Sequence, residues 1–251
     1  MKRTRLSALV VARNEEARIS GCLETLGFAD EIVIVLDRCQ DQTKGIAEKF
    51  GARIVEGSWE IEGPRRNAGI DACAGDWILE VDADERVPGE LADEIRQTIA
   101  DAEPGYFLIP FDNYIGSRLV RYGWGGSWGV NSTARLFTRG AKHWGDQRIH
   151  PKTHLTGKAR RLRSRMVHHV DRDVSDMLRR LDRYTTMRAK DLRDSGNVGS
   201  LAANLRRLFS RFFKCFVMRK GYREGIHGFL IALFAGLYPL LSHIKARVQE
   251  D

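Results

Sequence analysis

The chain has 251 residues, 43% hydrophobic and 29% charged, which suits a packed core and excludes a disordered or low-complexity chain. Its net charge of +8 is unevenly spread: residues 1–150 carry 19 Lys and Arg against 24 Asp and Glu, and residues 151–251 carry 22 against 9. The second part is therefore expected to face something anionic, either a phospholipid surface or a nucleic acid.

The first hundred residues alternate strand and helix patterns. "LSALVVA" (6–12) is an apolar run of buried-strand length, and "EEARISGCLETL" follows with helical spacing at Ile19, Cys22, Leu23 and Leu26. "EIVIVL" (31–36) and "ARIVE" (52–56) are further strands, separated by the short helix "DQTKGIAEKF". "GPRRNAGIDACAG" (63–75) is a helix expected to open at Pro64 and close at Gly75. "DWILEV" (76–81) is the fourth strand and runs into Asp82-Ala83-Asp84. This alternation predicts an α/β fold with a mostly parallel sheet, covered by helices on both faces. Ligands of such sheets sit beyond the carboxyl ends of the strands. Residues 12–16, 37–41 and 82–84 then share one rim.

Further on, 88–99 reads as a helix, and 105–111 and 133–140 as strands, with loops rich in Gly, Trp and His between 112 and 170. Two helices follow, 173–192 and 201–220. The second sets Leu201, Leu205, Leu208, Phe209, Phe212, Phe213 and Phe216 on one stripe, with Arg207, Arg211 and Lys214 opposite. Residues 228–241 form a fourteen-residue run without charge, short of the ~20 residues of a spanning helix. A core helix and an interfacial anchor both fit that run, and the basic amphipathic helix before it favours the membrane surface. The division expected is 1–170 as a catalytic domain and 171–251 as a helical, basic, amphipathic region. The N-terminus shows no secretory pattern, and Cys22, Cys39, Cys73 and Cys215 fall in no metal-ligand or redox spacing. A reducing compartment is expected.

Carboxylates one residue apart at a strand end can share a hard divalent cation, Mg²⁺ or Mn²⁺, but they also occur in ordinary acidic turns. Arg65 and Arg66, in the first turn of a helix, oppose its dipole and so call for an anion; a phosphate would serve. Trp124 and Trp128, set among glycines, suit either sugar stacking or core filling.

Together "VVARNEE", "VIVLDRCQDQT" and "RRNAGIDACAGDWILEVDADE" resemble family 2 glycosyltransferases of the GT-A fold, in order and spacing over 6–100. The subgroup most similar is that of lipopolysaccharide core β-glucosyltransferases, a likeness that continues through "RLFTRG", a His-containing loop and "DRDVSDMLRRLDRYT". The resemblance implies a metal-dependent hexosyltransferase with a Rossmann-like GT-A sheet. It would move a hexose, with glucose expected, from a nucleotide-diphosphate sugar such as a UDP-hexose to a lipid-linked saccharide, and act at the inner face of the cytoplasmic membrane. It places Arg13 and Glu15 in the nucleotide-sugar site, Asp37 on the base or ribose and Arg66 on the nucleotide. Asp82 would lie near ribose and metal, with Asp84 the direct metal ligand. Where relatives often have "VHE", this chain has "IHP", with Pro151 in the place of the glutamate. Asp146 is then the nearest carboxylate to serve as general base, although a turn beside Gly145 explains it equally well. His150 and His154 are either metal or acceptor contacts or structural. Other readings are a nucleotidyltransferase, which lacks the glycine-rich lysine-bearing stretch it needs; a non-catalytic member of the family; and a basic membrane- or nucleic-acid-binding protein. No nucleic-acid motif is present, so nucleic acid is not an expected partner.

Overall fold

The structure is a computed structural model that describes residues 4–125, 128–146 and 152–248. It divides into two compact units, one formed by 1–111 and 132–168 and the other by 112–131 and 169–251. The second unit thus takes in 112–131, which a division at residue 170 assigns to the catalytic part.

In the first unit β1 (Leu6–Ala12), β2 (Glu31–Asp37), β3 (Arg53–Gly57) and β4 (Trp77–Asp82) form a parallel sheet in the order β3-β2-β1-β4. The helices α1 (Glu16–Glu24), α2 (Thr43–Lys49) and α3 (Glu62–Ala72) make the crossovers, as the alternating pattern requires. The path continues from β4 through antiparallel β8 (Ser132–Thr138) to β6 (Gly105–Ile115), then to β12 (Met166–Asp171) and the two-residue β5 (Glu85–Arg86). Helix α4 (Gly89–Asp101) follows β5, and β9 (Lys142–Trp144) pairs with β10 (Thr153–Leu155) as a separate ribbon. A short β11 (Lys158–Arg161) runs along β6. These last strands are too short to show a period of two, so the sequence pattern did not reveal them.

Alternate residues of β1 enter different cores. Leu6, Ala8 and Val10 pack with Ile19, Leu23, Leu91 and Ile95, while Leu9 packs with Val33, Val35, Ile70 and Phe137. Both faces of the sheet are therefore covered, and the strands read as continuous apolar runs. Helix α3 begins at Glu62 rather than Pro64. Pro64 still falls in the first turn, where no intrahelical N–H bond is lost. Gly69 lets α3 approach the sheet: a Cβ there would lie 2.5 Å from Leu9 Cδ1 and 2.7 Å from Val35 Cγ2.

The second unit consists of β7 (Arg118–Val120), α5 (Val174–Asp194), α6 (Leu201–Phe213) and α7 (Ile226–Val248), with the outer end of β6. Asp173 caps α5 by accepting from the Asp176 N–H at 2.7 Å. The expected helix 201–220 ends at Phe213 and passes into a π-helical turn, Lys214–Met218. Gly221 then closes on the turn, where a Cβ would lie 2.8 Å from the Cys215 carbonyl oxygen. Helix α7 is long and apolar enough to cross a membrane, yet more than half of its apolar stretch is buried. Ile231, Ala232, Phe234, Ala235 and Tyr238 form the core of this unit with Met177, Leu181 and Cys215. The run 228–241 is thus a core helix in this fold, because α5 and α6 supply the apolar surface that a bilayer would otherwise supply. Trp124 and Trp128 lie in the same core, 1% and 0% exposed, so they fill it and offer no face for sugar stacking.

Gly69→Val is expected to lower the unfolding free energy by about 1–3 kcal/mol through overpacking against Leu9 and Val35. Gly27→Ala, which meets nothing within 4 Å, should stay within about 0.5 kcal/mol of wild type. Urea denaturation of both variants checks this, and an unaffected Gly69→Val protein would refute the close approach.

Candidate active site

Strand register brings the candidate residues to one rim. Ala12 is level with Leu36, and Val11 is level with Asp82, so Arg13, Asp37 and Asp82 leave the sheet side by side. Arg13 is exposed at the end of β1. The next residue, Asn14, has a positive φ of 55°, and its Oδ1 accepts the Gln40 N–H at 2.8 Å. Glu15 caps α1 through its backbone: its carbonyl accepts from Arg18 and Ile19, and its N–H donates to Thr43 Oγ1 at 2.9 Å. This ties the β1 loop to the start of α2.

Asp37 is 1% exposed, and both of its oxygens are engaged. Oδ1 accepts from Arg38 Nε at 2.9 Å and the Trp59 N–H at 3.1 Å; Oδ2 accepts from Arg38 at 3.1 Å and Arg65 at 3.0 Å. Burial opposes its ionisation, but the Arg38 and Trp59 hydrogen bonds, with Arg65, hold the carboxyl below its usual range. Arg38 adopts a left-handed backbone, φ 52°, to fold its guanidinium back onto its neighbour. A non-glycine residue in that region is uncommon and is found where surrounding contacts enforce it.

Beneath the rim is a buried charge cluster. Glu80, in the middle of β4 and fully buried, pairs with Lys142 and accepts from Trp144 Nε1 at 3.0 Å and Arg66 at 3.5 Å. Asp82 accepts from Arg66 at 3.1 Å on Oδ1 and from Arg135 on Oδ2. Glu85 also pairs with Arg135 and closes the turn by accepting the Asp82 N–H at 2.9 Å. Three carboxylates thus face three cations. Burial raises the Glu85 carboxyl to about 7, an effect that Arg135 offsets only in part and that Asp82 reinforces. For Asp82 burial acts in the same direction, yet Arg135 and Arg66 outweigh it and hold its carboxyl well below the usual range. The Arg66 guanidinium is raised well above its ordinary value against the effect of burial, chiefly by Asp82, Glu80 and Glu62.

The arginines of α3 therefore have carboxylate partners here: Arg65 serves Asp37, and Arg66 spans Glu62, Glu80 and Asp82. The anion that the helix start calls for is supplied by the protein itself. Arg66 is 9% exposed and acts as a strut under the rim.

Asp84 stands apart from this cluster. Its side chain is 25% exposed, with Arg18 at 3.7 Å and His168 Nε2 at 3.8 Å. Ala83, between the two aspartates, is buried in the core and points them away from it. His168 is brought opposite Asp84 by β12, which pairs with β5 through His168 and Glu85. The neighbouring carboxylate raises the imidazole pKa against the effect of burial. Among the described residues no three His, Cys, Asp or Glu side chains converge on one point. The side chains here that could hold a cation are the Asp84 carboxylate and the His168 imidazole, with Asp82 held by its arginines.

Asp146 follows β9 and is exposed. Gly145, just before it, packs its carbonyl oxygen on α3, where a Cβ on Gly63 would lie 2.0 Å away. His154 is exposed on β10, opposite His143; His150 and Pro151 lie outside the described residues.

Sequence reasoning missed Glu80, Glu85, Arg135, Lys142 and His168. Glu80 did leave a signal, a carboxylate inside the apolar strand "WILEV", which burial requires to be paired. Glu85 directly follows Asp84 but carried no signal of its own, and Arg135, Lys142 and His168 come from distant segments and carried none.

The fold is that of GT-A glycosyltransferases: S. aureus TarS 1–349 aligns with a TM-score of 0.52 and 15% identity, over 94% of this chain and 81% of its own. The family model for glycosyl transferase family 2 matches residues 7–213, and the chain belongs to that family. Curated relatives include an uncharacterized glycosyltransferase of Rickettsia conorii, 24% identical over 97% of this chain and 90% of its own length. Another is the lipopolysaccharide core biosynthesis glycosyltransferase LpsC of Rhizobium meliloti, 23% identical over 96% and 91%.

Lys142→Ala leaves Glu80 buried without its principal partner and is expected to cost about 3–5 kcal/mol of stability. Chemical denaturation checks this, and a loss below about 1 kcal/mol would mean that the cluster does not support the rim.

Proposed function

We propose that the chain is an inverting, metal-dependent hexosyltransferase. It moves a hexose, glucose being the leading candidate, from a UDP-hexose to a lipid-linked saccharide such as lipopolysaccharide core. The observation that carries the donor side is the rim itself: Arg13, Asp37 and Asp82 leave adjoining strands side by side, with Asp84 two residues further on, over a charge cluster that is already balanced within the protein. The acceptor class rests on the similarity to LpsC along nearly the whole chain.

Asp84, with His168 opposite it, would hold the divalent cation, Mn²⁺ or Mg²⁺. Bound there, it would supply positive charge to offset the negative charge that the leaving nucleoside diphosphate gains. The protein's own part is orientation. Asp37 and Arg13 frame the base and ribose, and Arg38 yields the outer edge of Asp37 to the nucleotide. Asp82 is fixed by Arg66 and Arg135, so it sets the direction in which Asp84 leaves the strand. Asp146, exposed on the segment after β9, takes the proton of the acceptor hydroxyl. A single base with no covalent step gives inversion at the anomeric carbon.

The same reading places the enzyme at the inner face of the cytoplasmic membrane. Supporting it, Leu201, Leu205, Phe209 and Phe213 form an exposed row on α6, with Phe209 70% exposed, and Val217 and Met218 extend it along the π-helical turn. Basic residues Arg206, Lys214 and Lys220 border the row. Apolar side chains beside cations suit an anionic bilayer surface.

Asp84→Ala should cut transfer from UDP-hexose by about a hundredfold or more. EDTA should do the same to the wild type, with recovery on adding Mn²⁺; turnover undiminished by EDTA excludes the metal role. Asp146→Asn should lower transfer by about a hundredfold while nucleotide binding by calorimetry stays near wild type. A wild-type rate in that variant moves the base elsewhere. Replacing Phe209 and Phe213 together by Ser should reduce co-sedimentation with anionic liposomes, and equal retention would refute the membrane contact.

A further inference from the structure

The helical unit holds a polar cavity that the donor-site reading leaves unused. It has a volume of about 230 Å³ and is lined by Arg188 of α5, Arg207 and Arg211 of α6, Asn197, Asn204 and Tyr238. Among the described residues no carboxylate lines it; Asp191 pairs with Arg188 at 3.6 Å. Asn204 is 3% exposed and fixes the fork of Arg207 by accepting from its guanidinium at 3.1 Å, while its own amide donates to the Ser200 carbonyl at 3.0 Å. Arg211 lies over the Tyr238 ring, 5.9 Å from its centroid. Burial first, then the like charges of Arg207 and Arg188, hold the Arg211 guanidinium below its ordinary value. Burial likewise raises the Tyr238 hydroxyl, which keeps its proton and remains a donor.

Arg188, Arg207 and Arg211 bring three guanidinium groups to one small cavity. Guanidinium forks, amide N–H groups and a phenol are all donors that match a tetrahedral oxyanion, and arginine meets phosphate in a bidentate way. The cavity is smaller than the ~300–1,000 Å³ of sites that enclose a whole small-molecule ligand. It fits a phosphate with part of the group it esterifies, and not a nucleotide sugar.

We propose that the cavity between α5, α6 and α7 is a phosphate-binding site, with Arg188, Arg207 and Arg211 as its charged donors. The phosphate has two possible sources, a lipid head group or a free phosphate ester, and both offer the same chemistry to these residues.

The test uses the full chain. Calorimetry with inorganic phosphate and with glycerol 3-phosphate should give saturable binding, weakened about tenfold or more when Arg207 and Arg211 are both replaced by Gln. Lys190→Gln, an exposed residue of α5 that does not line the cavity, should bind as wild type does. In a second arm, retention on phosphatidylcholine vesicles is measured with and without phosphatidic acid. If glycerol 3-phosphate competes with retention and the double variant loses it, the source is the lipid head group. If vesicle retention is unchanged while phosphate binding is lost, the source is a free ester. Should the double variant fail to fold, Arg188→Gln, whose side chain is 45% exposed, is expected to weaken phosphate binding several-fold. No saturable binding to the wild type, or wild-type affinity in a folded variant, overturns the proposal.

Discussion

The first unit depends on one arrangement, the pairing of Glu80, Asp82 and Glu85 with Arg66, Arg135 and Lys142 beneath the rim of the sheet. Each of these groups would be costly to bury alone, by several kcal/mol per ion even after relaxation. Together they neutralise one another, and the partners come from α3, β8 and β9. The cluster therefore ties the antiparallel half of the unit to the parallel half through charge as well as through the β4–β8 ladder. A hydrophobic replacement of similar volume could be as stable. It could not fix the direction of Asp82, because no apolar contact holds a carboxylate in one rotamer.

That fixed direction separates the work of the two aspartates. Asp82 and Asp84 are similarly exposed, 28% and 25%, but Asp82 has both oxygens committed to arginines, whereas Asp84 faces Arg18 and His168 at 3.7 and 3.8 Å. Ala83 between them is buried in the core. Asp37 follows the same plan two strands away, since Arg38, Arg65 and the Trp59 N–H hold it. Arg38 reaches it only through a left-handed backbone, a strained conformation at a position where a ligand would meet the protein.

The helical unit separates two kinds of apolar surface that its sequence presents as one. Helix α7 is the more hydrophobic but is enclosed, with Gly228 so close to Gly221 that a Cβ would lie 1.8 Å from its carbonyl oxygen. On α6 the expected stripe splits: Leu208, Phe212 and Phe216 are partly buried, and Leu201, Leu205, Phe209 and Phe213 point outward. Of the basic residues a helical wheel assigns to a solvated polar face, Arg207 stays exposed and Arg211 is partly buried, and both line a cavity.

Local pattern by itself determined the four parallel strands, their three crossover helices and hence the rim on which Arg13, Asp37, Asp82 and Asp84 stand. Continuous apolar runs, helical spacing and strand-end carboxylates are properties of neighbouring residues, and the right-handed crossover rule turns them into one arrangement. It also placed α5, α6 and α7, with ends off by a few residues where a π-helical turn or an early helix start intervened. Tertiary structure decided what the side chains do. Arg66 is a strut because Glu80 and Asp82 lie within its reach. His168 meets Asp84 across 84 positions of sequence because β12 pairs with β5. Residues 112–131 join the helical unit because Trp124 and Trp128 fill its core. Pairing of charges, opposition across strands and the choice between core and surface all depend on which distant segments meet, and no window of sequence contains that information.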